Sequence, residues 1–175
     1  SVLNAALANG QAGHVLDYDS IHLGGVQLHA ASPVFAALLA LSADYRTSGT
    51  SFITAAVAGY EAGVRSGLAA PRHHAGGWHL TGTLGAIAAG AAAAKLLELD
   101  ARRYCHALGI AAAKAAGLQQ NRGTLCKSVH DGKAAASGVL AALLAGQGHD
   151  SAADILEGDS GFARVYSGEV RLDQS

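Results

Sequence analysis

Across 175 positions the sequence holds no methionine, two prolines, two cysteines and only 5% aromatic residues. Cys105 and Cys126 lack CxxC spacing and belong to no small disulfide framework, so they read as reduced thiols of a cytoplasmic protein. Short β-branched or aromatic runs of period two are nearly missing, which argues against a sheet. An excess of charge of either sign is missing too. Twelve basic and thirteen acidic residues give a formal net charge of -1, so neither a nucleic-acid surface nor a polybasic membrane patch is expected. No apolar run approaches a membrane span without a polar residue or a glycine-rich break, and no basic stretch leads into an apolar core at the start.

What fills the chain instead is alanine, with 23 glycines and nine histidines. Alanine is the best helix former, and small faces let helix backbones approach closely, so propensity and packing agree on an all-α antiparallel helical bundle. Its length suits one domain, residues 1–175.

In chain order, a helix occupies 1–13 and a loop rich in aspartate and histidine occupies 14–32. Ser32-Pro33 supplies a serine cap and a first-turn proline for a helix to about Tyr45. Thr50 or Ser51 caps the next helix, to about Leu68, with Glu61 and Arg65 spaced four apart as an ion pair. Pro71 ends it. Thr81 or Thr83 caps a buried helix to Leu97, and Asp100 caps another to about Ala116. After a loop over 117–124 a long helix spans about His130 to Ala145, followed by a short one over 151–157 and a polar tail from Asp159.

Three polar clusters sit where loops meet these helices. The first runs from His14 through Asp17, Asp19 and His22 to His29. The second is Trp78-His79 at the start of the alanine-glycine helix, and the third is Cys126-Lys127-Ser128-Val129-His130. Imidazole titrates near neutrality, and a helix start favours anions, so three such ends facing one pocket would make an acid-base site for a carboxylate. Each cluster also has a plainer reading. The aspartates of the first cap backbone amides in a turn, or join its histidines as metal ligands, although no compact pattern such as HExxH is present. His79 beside Trp78 packs a helix start, and Lys127 extends into water. Cys126 lacks a histidine and acid in any recognisable nucleophile order.

The segments ANGQAGHVLDYDSIH, LHAASPV, GYEAGVR, GWHLTGTLGAIAAGAAAAKLL, ALGIAAAKAAGL, GTLCKSVHDGKAA and LEGDSGFARVYSG resemble, in order and spacing, the helical domain of the MmgE/PrpD family. That family includes 2-methylcitrate dehydratase, cis-aconitate decarboxylase and iminodisuccinate epimerase. The resemblance implies a cofactor-independent enzyme without a metal, usually a homodimer, acting on small di- or tricarboxylic acids. It implies a second α+β domain closing over the pocket, so this chain is expected to be a fragment without that domain or the leading helices.

Carried over by motif, Asp17, His29, His79 and Lys127 would be the catalytic set, with His22, Trp78, Thr81 and His130 contacting substrate or supporting the others. Two positions depart from the family motif: Ala30 replaces the usual proline after His29, and Ile21 stands where a threonine is common. Among the family reactions, dehydration of a 2-methylcitrate-like acid is the leading expectation, with decarboxylation and epimerisation served by the same geometry. A non-catalytic helical remnant binding a partner subunit and a histidine-based metal protein are the rival classes.

Overall fold

Alanine supplies most of the buried side chains, with a few leucines and valines between them, and the computed structural model, which describes residues 1–173, packs its helices closely on that core. The helices are α1 (Val2–His14), α2 (Ala31–Ser42), α3 (Gly49–Ala69), α4 (Leu80–Leu96), α5 (Ala101–Ala113), α6 (Cys126–Gly146) and α7 (Phe162–Ser167). The expected all-α bundle is what forms. Among the described residues no strand occurs, only isolated antiparallel bridges at His22–Leu28 and Trp78–Leu118. No helix among them is long and apolar enough to cross a membrane.

Helix α4 is the axis. Every residue from Leu80 to Ala94 is buried, and α2, α3, α5 and α6 pack around it, while α1 lies across α6 and α2. Two crossings bring backbones almost into contact. A Cβ added at Gly10 of α1 would lie 2.8 Å from the Gly132 Cα of α6, and one at Gly138 of α6 would collide with the backbone of Gly90 and the methyl of Ala89 on α4. These approaches fix α6, which bears Lys127 and His130, against α1 and α4.

Several helix starts differ from the sequence reading, each because a side chain found a better partner. Ser1 caps α1, accepting from the Asn4 N–H at 3.4 Å. Helix α2 begins two residues early, at Ala31, because the Ser32 hydroxyl donates to the Gly10 carbonyl of α1 at 3.1 Å instead of capping its own helix. Pro33 still falls in the first turn, where no backbone N–H is needed. Ser48, rather than Thr50 or Ser51, caps α3 by accepting from the Ser51 N–H at 3.0 Å. Helix α4 starts directly after His79 with no side-chain cap; Thr83 bonds back to the carbonyls of His79 and Leu80, and Thr81 turns to the first loop.

Asp100 caps α5 as read, accepting from the Arg103 N–H at 2.9 Å, but the helix ends at Ala113. Helix α6 begins four residues before His130, which places Lys127 inside its first turn. The short helix expected over 151–157 is a run of turns, and the Ser151 N–H is taken by His106 Nδ1 at 3.3 Å. The last short helix is instead α7, docked through Phe162 and Tyr166 onto the fully buried His73 ring at centroid distances of 5.3 and 5.1 Å. Of the polar tail expected from Asp159, the final two residues lie outside the described ones. Glu61 and Arg65 form the expected i,i+4 pair at 2.8 Å, exposed on both sides, a surface tether of small value.

Gly138→Ala should destabilise the protein by about 2 kcal/mol, because backbone on α4 must move, and that outweighs the roughly 1 kcal/mol of helix propensity gained. Gly49→Ala, where a Cβ meets nothing within 4 Å, should leave stability unchanged or raise it. Thermal unfolding of the two variants checks the pair.

Candidate active site

The loop over 15–30 is held by its alternation: Val26, Leu28 and Ala30 are buried in the core beside Leu80, Leu84 and Ile87, which turns Gln27 and His29 the other way. The His29 N–H donates to the Thr81 hydroxyl at 3.3 Å, tying this loop to the start of α4. The loop over 114–125 is tied to the same place, since the His79 N–H donates to the Gly117 carbonyl at 3.0 Å and the Gln119 N–H to the Gly77 carbonyl at 2.9 Å. Three helix ends therefore converge on one small open cavity of about 100 Å3, lined by Asp17, Ile21, Gln27, His29, His79, Thr81, Gln119, Arg122 and Lys127 among others.

Its charges fall into two groups. In the first, Lys127 Nζ lies 2.5 Å from Asp17 Oδ1, and Asp17 adopts a left-handed backbone with φ 53°. Lys127 thereby holds the Asp17 carboxyl below its ordinary range. Asp19 stands behind: its Oδ1 is 2.9 Å from His14 Nδ1 and 3.4 Å from His29 Nδ1. Burial pushes Asp19 up, but the two imidazoles outweigh it and keep the carboxyl ionised far below the usual range. In return Asp19 raises His29, against an opposing but smaller effect of burial. His29 is thus poised to carry a proton.

The second group goes the opposite way. His79 Nδ1 and His130 Nδ1 are 3.1 Å apart, and Asn121 Nδ2 lies 3.4 Å from His130 Nε2. Burial, reinforced by the neighbouring imidazole, pushes His79 down to about 3, and burial also lowers His130. Both rings are neutral at pH 7. With the Asn121 amide assigned as donor, His130 carries its proton on Nδ1 and donates to His79, which then keeps its own proton on Nε2. His79 is in that arrangement a neutral hydrogen-bond donor.

Beneath both groups sits Asp131, fully buried on α6, 3.4 Å from His14 Nδ1, with no hydrogen-bond partner for either oxygen among the described residues. His14 itself stacks on His79 at 5.8 Å and meets His29 edge-on at 5.0 Å. Burial, with the Asp19 charge adding to it, raises Asp131 well above the ordinary 3.8.

The structure brings together Asp17, His29, His79, Lys127, Thr81 and, behind His79, His130. His22 and Trp78 lie elsewhere. His22 Nε2 faces the Gly24 carbonyl at 3.1 Å inside its own hairpin, and the Trp78 ring packs on Tyr166 at 4.6 Å, so neither lines the cavity. His14 and Asp19 come with the first polar cluster, whereas Asp131, Asn121, Gln119 and Arg122 join the site without having been singled out as part of it. The asparagine and glutamine carry no signal of their own in a single sequence, and Asp131, one residue after His130, reads there as an ordinary solvated acid. His14, Asp17, Asp19 and His29 also offer metal-ligand atoms within 4.8 Å of one another. An ion seated there would compete with the Lys127 ammonium for Asp17, and both imidazoles already face carboxylates.

Helix ends that direct an ammonium, a proton-rich imidazole and a neutral imidazole donor at a small cavity have the chemistry of an acid-base site for an organic anion. The MmgE/PrpD N-terminal domain matches residues 1–175, and the chain belongs to that family. It is 36% identical over 172 residues to cis-aconitate decarboxylase of Aspergillus terreus, a match covering 93% of this chain and 35% of that protein. It is 34% identical to the cis-aconitate decarboxylase-like protein oryM of Aspergillus oryzae, covering 96% of this chain and 36% of the other. The human cis-aconitate decarboxylase is 32% identical over 169 residues, with 93% and 35% covered. The chain thus spans about a third of the length of these curated relatives.

Asp131 costs stability. Its folded-state affinity for a proton exceeds the unfolded one, so the cost is absent well below pH 3.8 and grows as pH rises above it. Asp131→Asn should therefore raise stability at pH 7, on the order of 1–3 kcal/mol, with the gain shrinking toward pH 3.5. Denaturant melts across that range check both sign and slope.

Proposed function

We propose that this chain carries the carboxylate-binding and proton-donating side chains of a cofactor-independent lyase that decarboxylates a small di- or tricarboxylic acid of the cis-aconitate kind. The supporting observation is the opposite tuning of two imidazoles at one cavity: His29 raised by Asp19, His79 lowered by burial. Environments that drive paired titratable groups apart assign their roles. Here the tuning yields a proton donor and a neutral electrophile. Dehydration and epimerisation begin by removing a proton and need a base; decarboxylation begins by losing carbon dioxide and needs a donor afterwards. The names of the relatives favour the same choice over 2-methylcitrate dehydration.

In this reading the C–C bond to one substrate carboxylate breaks, carbon dioxide leaves, and the electron pair passes into the system conjugated with a second carboxylate. The Lys127 ammonium and the His79 Nε2–H stabilise the negative charge as it develops. The His29 imidazolium then gives its proton to carbon, and solvent restores it. Asp17 positions Lys127, and Asp19 keeps His29 protonated. A helical module that binds a carboxylate without turnover is the second reading, since the ammonium of Lys127 and the imidazoles at the cavity would hold an anion whether or not it reacts.

Proton NMR in deuterated buffer with cis-aconitate, 2-methylcitrate and iminodisuccinate separates these. The expected result is a decarboxylated product from cis-aconitate with one deuteron at the carbon that was protonated, and no change in the other two. Lys127→Ala should lower kcat/KM by about a hundredfold or more. The rate should hold through mildly acidic pH and fall as pH climbs through the raised His29 value, since its charged form is the active one. Dehydration of 2-methylcitrate, or full activity in Lys127→Ala, would overturn the proposal; saturable binding without product would support the second reading.

A further inference from the structure

Lys127 is not the only permanent cation on the cavity wall. Arg122 lines the same cavity, from the loop that also carries Gln119 and Asn121. The two cations differ in what they have available. Lys127 is bonded to Asp17, the one carboxylate in the lining, whereas the Arg122 guanidinium has no ion pair or side-chain hydrogen bond among the described residues. No aspartate or glutamate occurs between Ala115 and Cys126 to claim it. With Lys127 paired to Asp17, the permanent positive charge left over on the wall resides on Arg122.

The loop that bears Arg122 is fixed in place. Gln119 Nε2 donates to the carbonyls of His74 at 2.8 Å and Trp78 at 3.1 Å, and the Arg122 N–H itself donates to the Gln119 carbonyl at 2.9 Å. The Thr124 hydroxyl closes the turn on the Asn121 carbonyl at 2.8 Å, with Gly123 at φ 82°, and Asn121 is tied to His130. An unpaired arginine on a mobile surface loop is ordinary. One whose neighbours Gln119 and Asn121 are hydrogen-bonded to the walls of a cavity has its backbone set at that cavity before any ligand arrives.

Resting on the function proposed above, we infer that Arg122 is a specificity-determining residue that binds a second carboxylate of the substrate, separate from the one met by Lys127. A guanidinium pairs with a carboxylate through two parallel N–H donors, so it selects for a planar anion at a fixed place and not merely for negative charge. Gln27 and Gln119 add neutral amide groups to the same wall. The cavity then discriminates by the number of carboxylates: a monocarboxylate satisfies the Lys127 end and leaves Arg122 in water, while a di- or tricarboxylate satisfies both.

The test is calorimetric titration of wild type, Arg122→Gln, Arg122→Lys and Lys127→Ala with cis-aconitate, itaconate and the monocarboxylate crotonate. Arg122→Gln should weaken cis-aconitate and itaconate by about tenfold to a hundredfold while crotonate changes less than about twofold. Arg122→Lys should recover only part of the loss, because a point charge lacks the fork. Lys127→Ala should weaken all three. Arg122 is exposed, so an unchanged melting temperature in its variants certifies the fold. Equal weakening of all three ligands in Arg122→Gln, or no weakening, overturns the inference and leaves the carboxylate site standing. Failure of wild type to bind any of the three removes the site itself, and the inference falls with it.

Discussion

The closeness of α6 to α1 and α4 is the constraint on which the rest depends. Backbone meets backbone at Gly10 with Gly132 and at Gly90 with Gly138, leaving no room for a single added carbon. Lys127, His130 and Asp131 ride on α6, His14 closes α1, and His79 introduces α4. The distances among these five side chains are therefore set by helix packing, and a shift of one helix would move every contact at once. A site built on helix ends inherits the rigidity of the bundle, which loops alone would not supply.

That rigidity lets adjacent imidazoles differ. His29 and His79 line one cavity, yet one faces the ionised Asp19 and the other the neutral His130. A carboxylate beside an imidazole is worth more in a partly buried place than in water, and so is the lack of one. His14 stands between them, bonded to Asp19 while touching both rings, so it separates the charged group from the neutral one.

Much of the helical plan was legible because alanine content and small-residue faces leave few alternatives; the Asp100 cap and the ion pair of Glu61 with Arg65 followed from local spacing alone. Starts that depended on tertiary partners were not legible. Ser32 looks like a cap until α1 offers it a carbonyl, and Thr81 looks like one until the His29 N–H needs an acceptor. Likewise the convergence of Asp17, His29, His79 and Lys127 could be anticipated from three polar helix ends and a family resemblance. Trp78 was misleading, since its prominence as the sole tryptophan reflects docking of α7 and not the cavity. Arg122 and Asp131 escaped notice because nothing in a linear sequence distinguishes a pinned loop from a free one, or a buried acid from a solvated one.

Asp131 shows what the bundle tolerates in order to place charge. An acid buried with no hydrogen bond to either oxygen among the described residues, beneath two ionised carboxylates, is unfavourable in isolation. It persists where α1 and α6 touch most tightly, at the residue preceding Gly132, with none of its surface exposed. Holding Asp131 neutral keeps a third negative charge away from His14. Burial holds Asp131 protonated, so the ionised carboxylates beside the site's imidazoles are those of Asp17 and Asp19, and it is Asp19 alone that sets His29 apart from His79 by direct hydrogen bonding.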